Sequence, residues 1–381
     1  TGVKVLRTNS IKAVLDPLAL AGGKVVLARA EIDSAEGDLT FMPADPSLGI
    51  GAPRIDSVPA LLAVLYNHLD RAAAQLDRAG TREVAAQSLS LRLPGSTTRM
   101  LKLGGFDFKK ERGGTYRLAT KLEVGRLRPD ISISFATSAG RAQSIEARVS
   151  GIETEPFAMK YSRVTGERRQ GIDLPLTLTL SAQRDQSFTV LVTAAGGTFH
   201  ADGLAQPVRS GRALFDYDFA KAKFEIREGG IDLGETMIPF EGEIADSDRV
   251  TPGSSPGYAF EAVVENGIAN AERANEEPQP YNAKVAGSYT FSSRELFFNA
   301  MSVATEDGML AGSLKMIFAE GASPAISFSA TSDSLSTKSV KQLWPFWFAA
   351  KPRDWVLSHI RGGTVRNAEI SVSLAAGRLP E

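Results

Sequence analysis

The run Ile172-Asp173-Leu174-Pro175-Leu176-Thr177-Leu178-Thr179-Leu180 decides the reading of this chain. Leu174, Leu176, Leu178 and Leu180 fall on one side of an extended backbone. Asp173, Pro175, Thr177 and Thr179 fall on the other. Successive side chains of a strand point to opposite faces, so this alternation predicts a strand with one apolar and one wet face. The pattern repeats downstream. Phe188, Val190 and Val192 alternate with Thr189 and Thr193, Phe215, Tyr217 and Phe219 with Asp216 and Asp218, and Phe224 and Ile226 with Lys223, Glu225 and Arg227. Ile238, Phe240 and Ile244 continue it. Short turns at Arg184-Asp185-Gln186, Ala195-Gly196-Gly197 and Glu228-Gly229-Gly230 separate the runs, which predicts an antiparallel meander.

Upstream, Val3–Arg7, Lys24–Ile32 and Leu39–Met42 read as strands, and Pro43, Pro46 and Pro53 mark a loop. Ser57–Ala79 predicts a helix. Ser57 or Asp56 caps it, Pro59 fits its first turn, and Gly80 closes it. Its stripe Leu61, Leu62, Leu65, Leu69 and Leu76 predicts packing on a sheet, with Asp70, Arg71, Asp77 and Arg78 on the polar face. Strands resume through Leu89–Leu93, Met100–Leu103, Phe106–Phe108, Tyr116–Val124, Ile131–Phe135 and Ile145–Val149. After the central meander they follow at Tyr258–Val264, Val285–Phe291, Leu296–Val303, Leu310–Phe318, Ile326–Ala330 and Val365–Leu374. Further helices are expected at Ser336–Leu343 and from Pro352, carrying Trp355 and stopping at Gly362-Gly363. The fold class is therefore mostly β with a few short helices. About eighteen to twenty strands form a long antiparallel meander, and a sheet of that size must curl or split. The sequence divides into 1–160, 161–332 and 333–381.

Chemistry is sparse. With 43 basic and 44 acidic residues the net charge is −1, which argues against a general nucleic-acid binder. No cysteine is present, so disulfides and thiolate metal sites are excluded; such a chain suits an oxidising compartment. His68, His200 and His359 stand far apart and predict no metal site. Gly253-Ser254-Ser255-Pro256-Gly257 has the spacing of a nucleophile elbow, but it lacks the preceding strand and following helix and reads as a loop. Asp216 and Asp218 read as solvated strand carboxylates. Nothing in the chain predicts an enzyme or calls for a cofactor. No apolar run reaches the ~18 residues of a membrane helix, and the chain begins at Thr1, so any anchor is expected outside this segment.

The C-terminal residues carry a resemblance. Leu343-Trp344-Pro345, then Pro352, Trp355, Val356, Ile360 and Gly362-Gly363 before a strand ending at Leu374, resemble the AsmA-like superfamily. The likeness is to its YhdP-type branch, with TamB more distant. Asp173-Leu174-Pro175-Leu176, Gly203-Leu204, Ile231-Asp232-Leu233-Gly234 and the helix leading into Leu89-Ser90-Leu91-Arg92-Leu93 are similar to that family as well. The resemblance implies a repeating β-groove on the periplasmic side of a Gram-negative inner membrane, with an oily face that conducts phospholipid or another acyl-chain ligand. The expected lining in this chain is Leu174, Leu176, Leu178, Leu180, Phe188, Val190, Val192, Phe215, Phe219, Phe224 and Ile226. Trp344, Pro345, Trp355 and Gly362 are expected to be structural, with Trp355 buried against the last strand. The competing expectation is a scaffolding protein of the cell envelope whose apolar faces are only its core.

Overall fold

A computed structural model describes residues 6–23, 26–38, 54–92, 100–111, 113–123, 127–155, 159–161, 168–201, 204–319, 324–345 and 350–377. The described residues are 63% strand and 16% helix. In chain order the elements begin β1 (Leu6–Thr8), β2 (Ile11–Leu15), α1 (Pro17–Ala21), β3 (Leu27–Asp38), α2 (Val58–Ala79) and β4 (Glu83–Arg92). They continue β5 (Met100–Lys110), β6 (Thr115–Glu123), β7 (Asp130–Ser138), β8 (Arg141–Glu153), β9 (Met159–Tyr161), β10 (Arg168–Asp173), β11 (Pro175–Gln183) and β12 (Ser187–Ala194). Then come β13 (Gly197–Ala201), β14 (Leu204–Val208), β15 (Ser210–Asp218), β16 (Lys223–Asp232), β17 (Met237–Asp246), α3 (Ser247–Val250), β18 (Gly257–Ala269) and β19 (Gln279–Thr290). The chain closes with β20 (Glu295–Thr305), β21 (Gly308–Ile317), β22 (Ala325–Ser336), α4 (Thr337–Leu343), α5 (Ala350–His359) and β23 (Thr364–Leu374). Among the described residues nineteen strands belong to one sheet, and β9, β10, β13 and β14 form another. The mostly β meander expected from the alternation is the observed architecture. The expected strand at Leu39–Met42 and the proline loop after it lie outside the described residues.

Two compact units divide the chain. The first holds residues 1–53, 57–156 and 175–192; the second holds 54–56, 157–174 and 193–381. The central run at 172–244 is therefore not one uninterrupted meander. Ile172 sits in β10, which pairs with β13 and β9, while β11 pairs with β8 in the other sheet.

In the first unit β1 and β2 both pair with β3, and β4 to β8 and β11 follow in antiparallel order. One joint departs from the meander: β3 and β4 run parallel. Parallel neighbours need a crossover connection, and α2 lies in it. The helix inserts Leu62, Tyr66, Leu69, Ala73 and Leu76 into a cluster with Phe108, Tyr116, Phe135, Ala142 and Ile145. Those helix positions recur at intervals of three and four, so they share one stripe. Tyr116 stacks on Phe135 with centroids 4.7 Å apart. Leu65, expected in the stripe, is 39% exposed because the stripe is centred on Tyr66 and Ala73. Fully burying a side chain of Leu or Phe size stabilises by ~1.5–3 kcal/mol.

Two helix carboxylates expected to face solvent instead fix α2 to the sheet. Asp70 pairs with Arg184 at 2.9 Å and accepts the Ala142 N–H at 2.6 Å. The Arg184 guanidinium also lies over the Tyr66 ring, 4.9 Å from its centroid. Burial pushes the Asp70 carboxyl up, but the Arg184 and Ala142 hydrogen bonds outweigh it, and its pKa lies below the usual carboxylate value. Asp77 pairs with Lys110 and accepts from the Tyr116 hydroxyl at 2.7 Å; those two bonds, Lys110 first, lower its pKa. Gly80 closes the helix in the left-handed conformation with φ 68°, as expected. Ser57 makes no side-chain cap. The turn before the helix, Ile55–Ser57, is a 3-10 turn.

The second unit contains nine consecutive antiparallel strands, β15 to β23. Each of the six pairs from β15–β16 to β20–β21 carries a register shift. Bulges bend a strand and strengthen its twist, so this sheet is built to curl. At the turn into β18, Gly253–Gly257 forms the expected loop, with Gly253 at φ 84°.

Candidate functional site

Register places one apolar residue beside another across the whole second-unit sheet. Tyr217, Phe224, Ile244, Phe260, Gly287, Phe298, Leu314, Phe328 and Val372 are successive Cα partners on nine neighbouring strands. A second row runs beside it: Phe215, Ile226, Gly242, Ala262, Val285, Met301, Gly312, Ala330 and Ile370. Edge-to-face aromatic contacts knit the first row. Tyr217 and Phe224 lie 5.2 Å apart, and Phe260 and Phe298 lie 5.4 Å apart. Gly287 sits between those last two rings. A Cβ there would stand 2.8 Å from the Phe260 ring, so glycine makes room for the neighbouring aromatic.

The rows are apolar but not covered. Tyr217 and Ala330 are buried, Ile370 is 46% exposed, and the remaining side chains of both rows are half-buried. In a close-packed interior such residues touch neighbours on all sides and lose almost all exposure. The helices that pack on this sheet meet it at strand ends, α3 against β17 and β18 and α4 against β19 and β22. The opposite face is ionic: Lys284 pairs with Glu261 at 2.7 Å, Lys315 with Glu295 at 3.0 Å and Arg227 with Asp216 at 3.0 Å. The sheet therefore has a wet back and an oily front with a half-open surface.

Polar structures sit at both ends of the strands that carry the rows. At one end Asp246, buried at the close of β17, accepts the backbone N–H of Ile55 at 3.1 Å and of Asp56 at 2.8 Å. Arg54 bridges Asp56 and Asp248, and its hydrogen bond holds the Asp56 carboxyl below its ordinary pKa. Burial raises the Tyr217 and Tyr258 hydroxyls nearby. At the other end Ser336 caps α4 through the Ser339 N–H at 3.0 Å. Gln342 accepts from the Ala271 N–H and donates to the Glu276 and Glu277 carbonyls. Arg353, buried, donates to the carbonyls of Trp344 and Glu272, and burial lowers its pKa.

The expected lining residues are distributed over both units. Leu176, Leu178, Leu180, Val190 and Val192 are half-buried in the first unit, and Phe188 there is buried. Leu178 and Leu180 partner Val149 and Ala147, next to Ile131 and Ile133. Phe215, Phe224 and Ile226 lie in the second-unit rows. Phe219 falls just beyond β15, is 37% exposed and meets the Tyr217 ring at 4.9 Å. Leu174 lies between β10 and β11, is half-buried and falls in the second unit. Ile244, Phe260, Phe298, Leu314 and Phe328, the centre of the first row, were not among the expected lining. Their alternation was legible, but the bulges hide that they share a face: Phe298 and Met301 point the same way at a spacing of three.

The C-terminal expectations need correction. Trp355 is 54% exposed, stacked on His359 with centroids 5.1 Å apart. Arg353, not Trp355, is the buried residue of α5. Gly362 is exposed with open space where a Cβ would stand. Gly363 is the position with φ 115°, and its carbonyl accepts from the Thr337 N–H and hydroxyl. Trp344 is the C-cap of α4, half-buried, and Pro345 is exposed. Among the described residues no group of three or more His, Asp or Glu is placed to hold a metal ion, and no helix is long and apolar enough to cross a membrane. No family model, curated protein or solved structure matches the chain.

Proposed function

We propose that this chain is a non-enzymatic, AsmA-like segment of the periplasm that holds phospholipid acyl chains against the apolar front of its sheet and lets them pass along it. The observation that carries this reading is the pair of nine-strand apolar rows left half-open in the second unit. Acyl chains would replace water against Phe260, Phe298, Leu314 and Phe328, while headgroups stay wet. Ten methylenes seated on such a face gain ~8 kcal/mol, against ~4–15 kcal/mol lost on association, so two-chain lipids are favoured over single short chains. Sliding is passive because neighbouring positions along a row are chemically alike. The competing scaffold reading draws on the α2-covered end of the first unit, where Tyr116, Phe135 and Ile145 form a closed core.

The test uses Phe215→Asp and Phe298→Asp. Phospholipid carried through purification is measured by mass spectrometry beside the unfolding midpoint. Lost lipid with a retained midpoint is expected. A parent protein that carries no lipid, or a collapsed midpoint in both variants, overturns the reading in favour of a scaffold.

A further inference from the structure

The strip that α5 turns outward fits neither the sheet core nor the acyl-chain face. Lys351, Pro352, Trp355, Ser358 and His359 are all exposed and recur at helical spacing on one side. The opposite side is held down by buried Arg353 and half-buried Val356 and Ile360. Trp355 has half its surface in solvent, yet its orientation is set: the ring stacks on His359 at an interplanar angle of 11°, and the His359 Nδ1 lies 3.0 Å from the Trp355 carbonyl. The indole is thus presented rather than packed. Val365, at the start of β23, adds a 39% exposed aliphatic side chain.

Charge around the strip is one-sided. Between Lys338 and Arg366 the chain has six basic residues and one acidic, Asp354, in a protein of net charge −1. Lys341 is committed to Glu276, Arg353 is buried, and Asp354 pairs with Arg273. Lys351, Arg361 and Arg366 remain exposed, with no ion pair among the described residues. An amphipathic aromatic ring flanked by unpaired cations matches the chemistry of a bilayer interface, where tryptophan sits at the headgroup level and basic side chains meet anionic lipid.

We infer that the outward strip of α5, with Trp355 at its centre and Lys351 on it, docks on the surface of an anionic phospholipid bilayer, aided by exposed Arg361 two residues past the helix end. The contact is superficial: the ring enters the headgroup layer and the chain does not span. This inference is independent of the acyl-chain reading, because it uses a different surface of the second unit.

The test is co-sedimentation of the protein with vesicles of phosphatidylcholine and phosphatidylglycerol at 7:3, and with phosphatidylcholine alone. Binding to the anionic vesicles, a weaker signal on the neutral ones and release by 0.5 M salt are expected. Each basic residue at such a surface contributes about fivefold in affinity, so Lys351→Gln with Arg361→Gln weakens binding about 25-fold. Trp355→Ala weakens it several-fold with an unchanged unfolding midpoint, since the ring is exposed. Quenching of tryptophan emission by brominated phosphatidylcholine in the parent, reduced in Trp355→Phe, places the ring. No binding of the parent to anionic vesicles, or equal binding by parent and variants, overturns the inference. Phe298→Asp keeps the vesicle binding even where it removes carried lipid, so the two proposals fail separately.

Discussion

The α2-covered end of the first unit and the rows of the second unit are written in the same alternating pattern, yet one is a core and the other a surface. Tyr116, Phe135 and Ile145 are 1%, 5% and 4% exposed beneath Tyr66 and Ala73 of the helix. Their counterparts Phe260, Phe298 and Phe328 are half-buried, and among the described residues the helices packed on that sheet meet β17, β18, β19 and β22 at strand ends. The first unit shows both conditions within one sheet. Moving along β7 from Phe135 to Ile133 and Ile131, and along β11 from Ala182 to Leu180 and Leu178, the side chains pass from buried to half-buried. Coverage by one helix, more than residue type, separates closed core from open face.

Charge insertion gives the widest contrast. Phe135→Asp buries a carboxylate among Tyr116, Ile145 and Tyr66, and several kcal/mol of stability go with it. The first-unit unfolding midpoint collapses, while Phe298→Asp leaves its own unit folded because water reaches the new carboxylate. Chemical denaturation followed by circular dichroism checks the pair, and equal losses would erase the distinction. Truncation gives a smaller version. Phe135→Ala costs ~3–5 kcal/mol as a buried aromatic, and Phe298→Ala a fraction of that, because less apolar area leaves solvent in the native state.

The helix clamp comes next in size. Asp70→Asn removes a charge-assisted partner from Arg184, and a hydrogen bond to a charged group is worth ~1.5–3 kcal/mol. The Asp70 pKa is depressed in the folded state, so its stabilisation is present above the ordinary aspartate pKa and is lost as pH falls through the depressed value. The difference in midpoint between parent and Asp70→Asn is therefore constant near neutrality and shrinks below about pH 4. A gap that persists in strong acid would show that Asp70 acts by shape alone. The smallest effect is expected at Trp355, where Trp355→Ala changes stability by less than about 0.5 kcal/mol, as at other exposed positions. A loss of several kcal/mol there would restore the expectation that the ring is a structural anchor.

Period-two alternation, turn residues and one long capped stripe were enough to read a strand-dominated chain with α2, α4 and α5 near their observed places. Those signals are local: a strand exposes its face pattern in consecutive residues, and Gly80 or Ser336 marks a helix end whatever the rest of the chain does. Other features depend on what approaches from elsewhere. Asp70 and Asp77 look solvent-facing on a helical wheel, and only the arrival of Arg184, Lys110 and Tyr116 turns them into clamps. Trp355 has the size and hydrophobicity of an anchor, but the docked side of α5 is the one that carries Arg353 and Val356. The parallel joint between β3 and β4, the departure of β10, β13 and β14 to a second sheet, and the bulges that bring Phe298 and Met301 onto one face are likewise decisions of pairing. Sequence by itself determined that one side of these strands is oily. Whether that side became core or open surface was decided by the tertiary structure, because burial is a property of the neighbour that covers a face and not of the residues that make it.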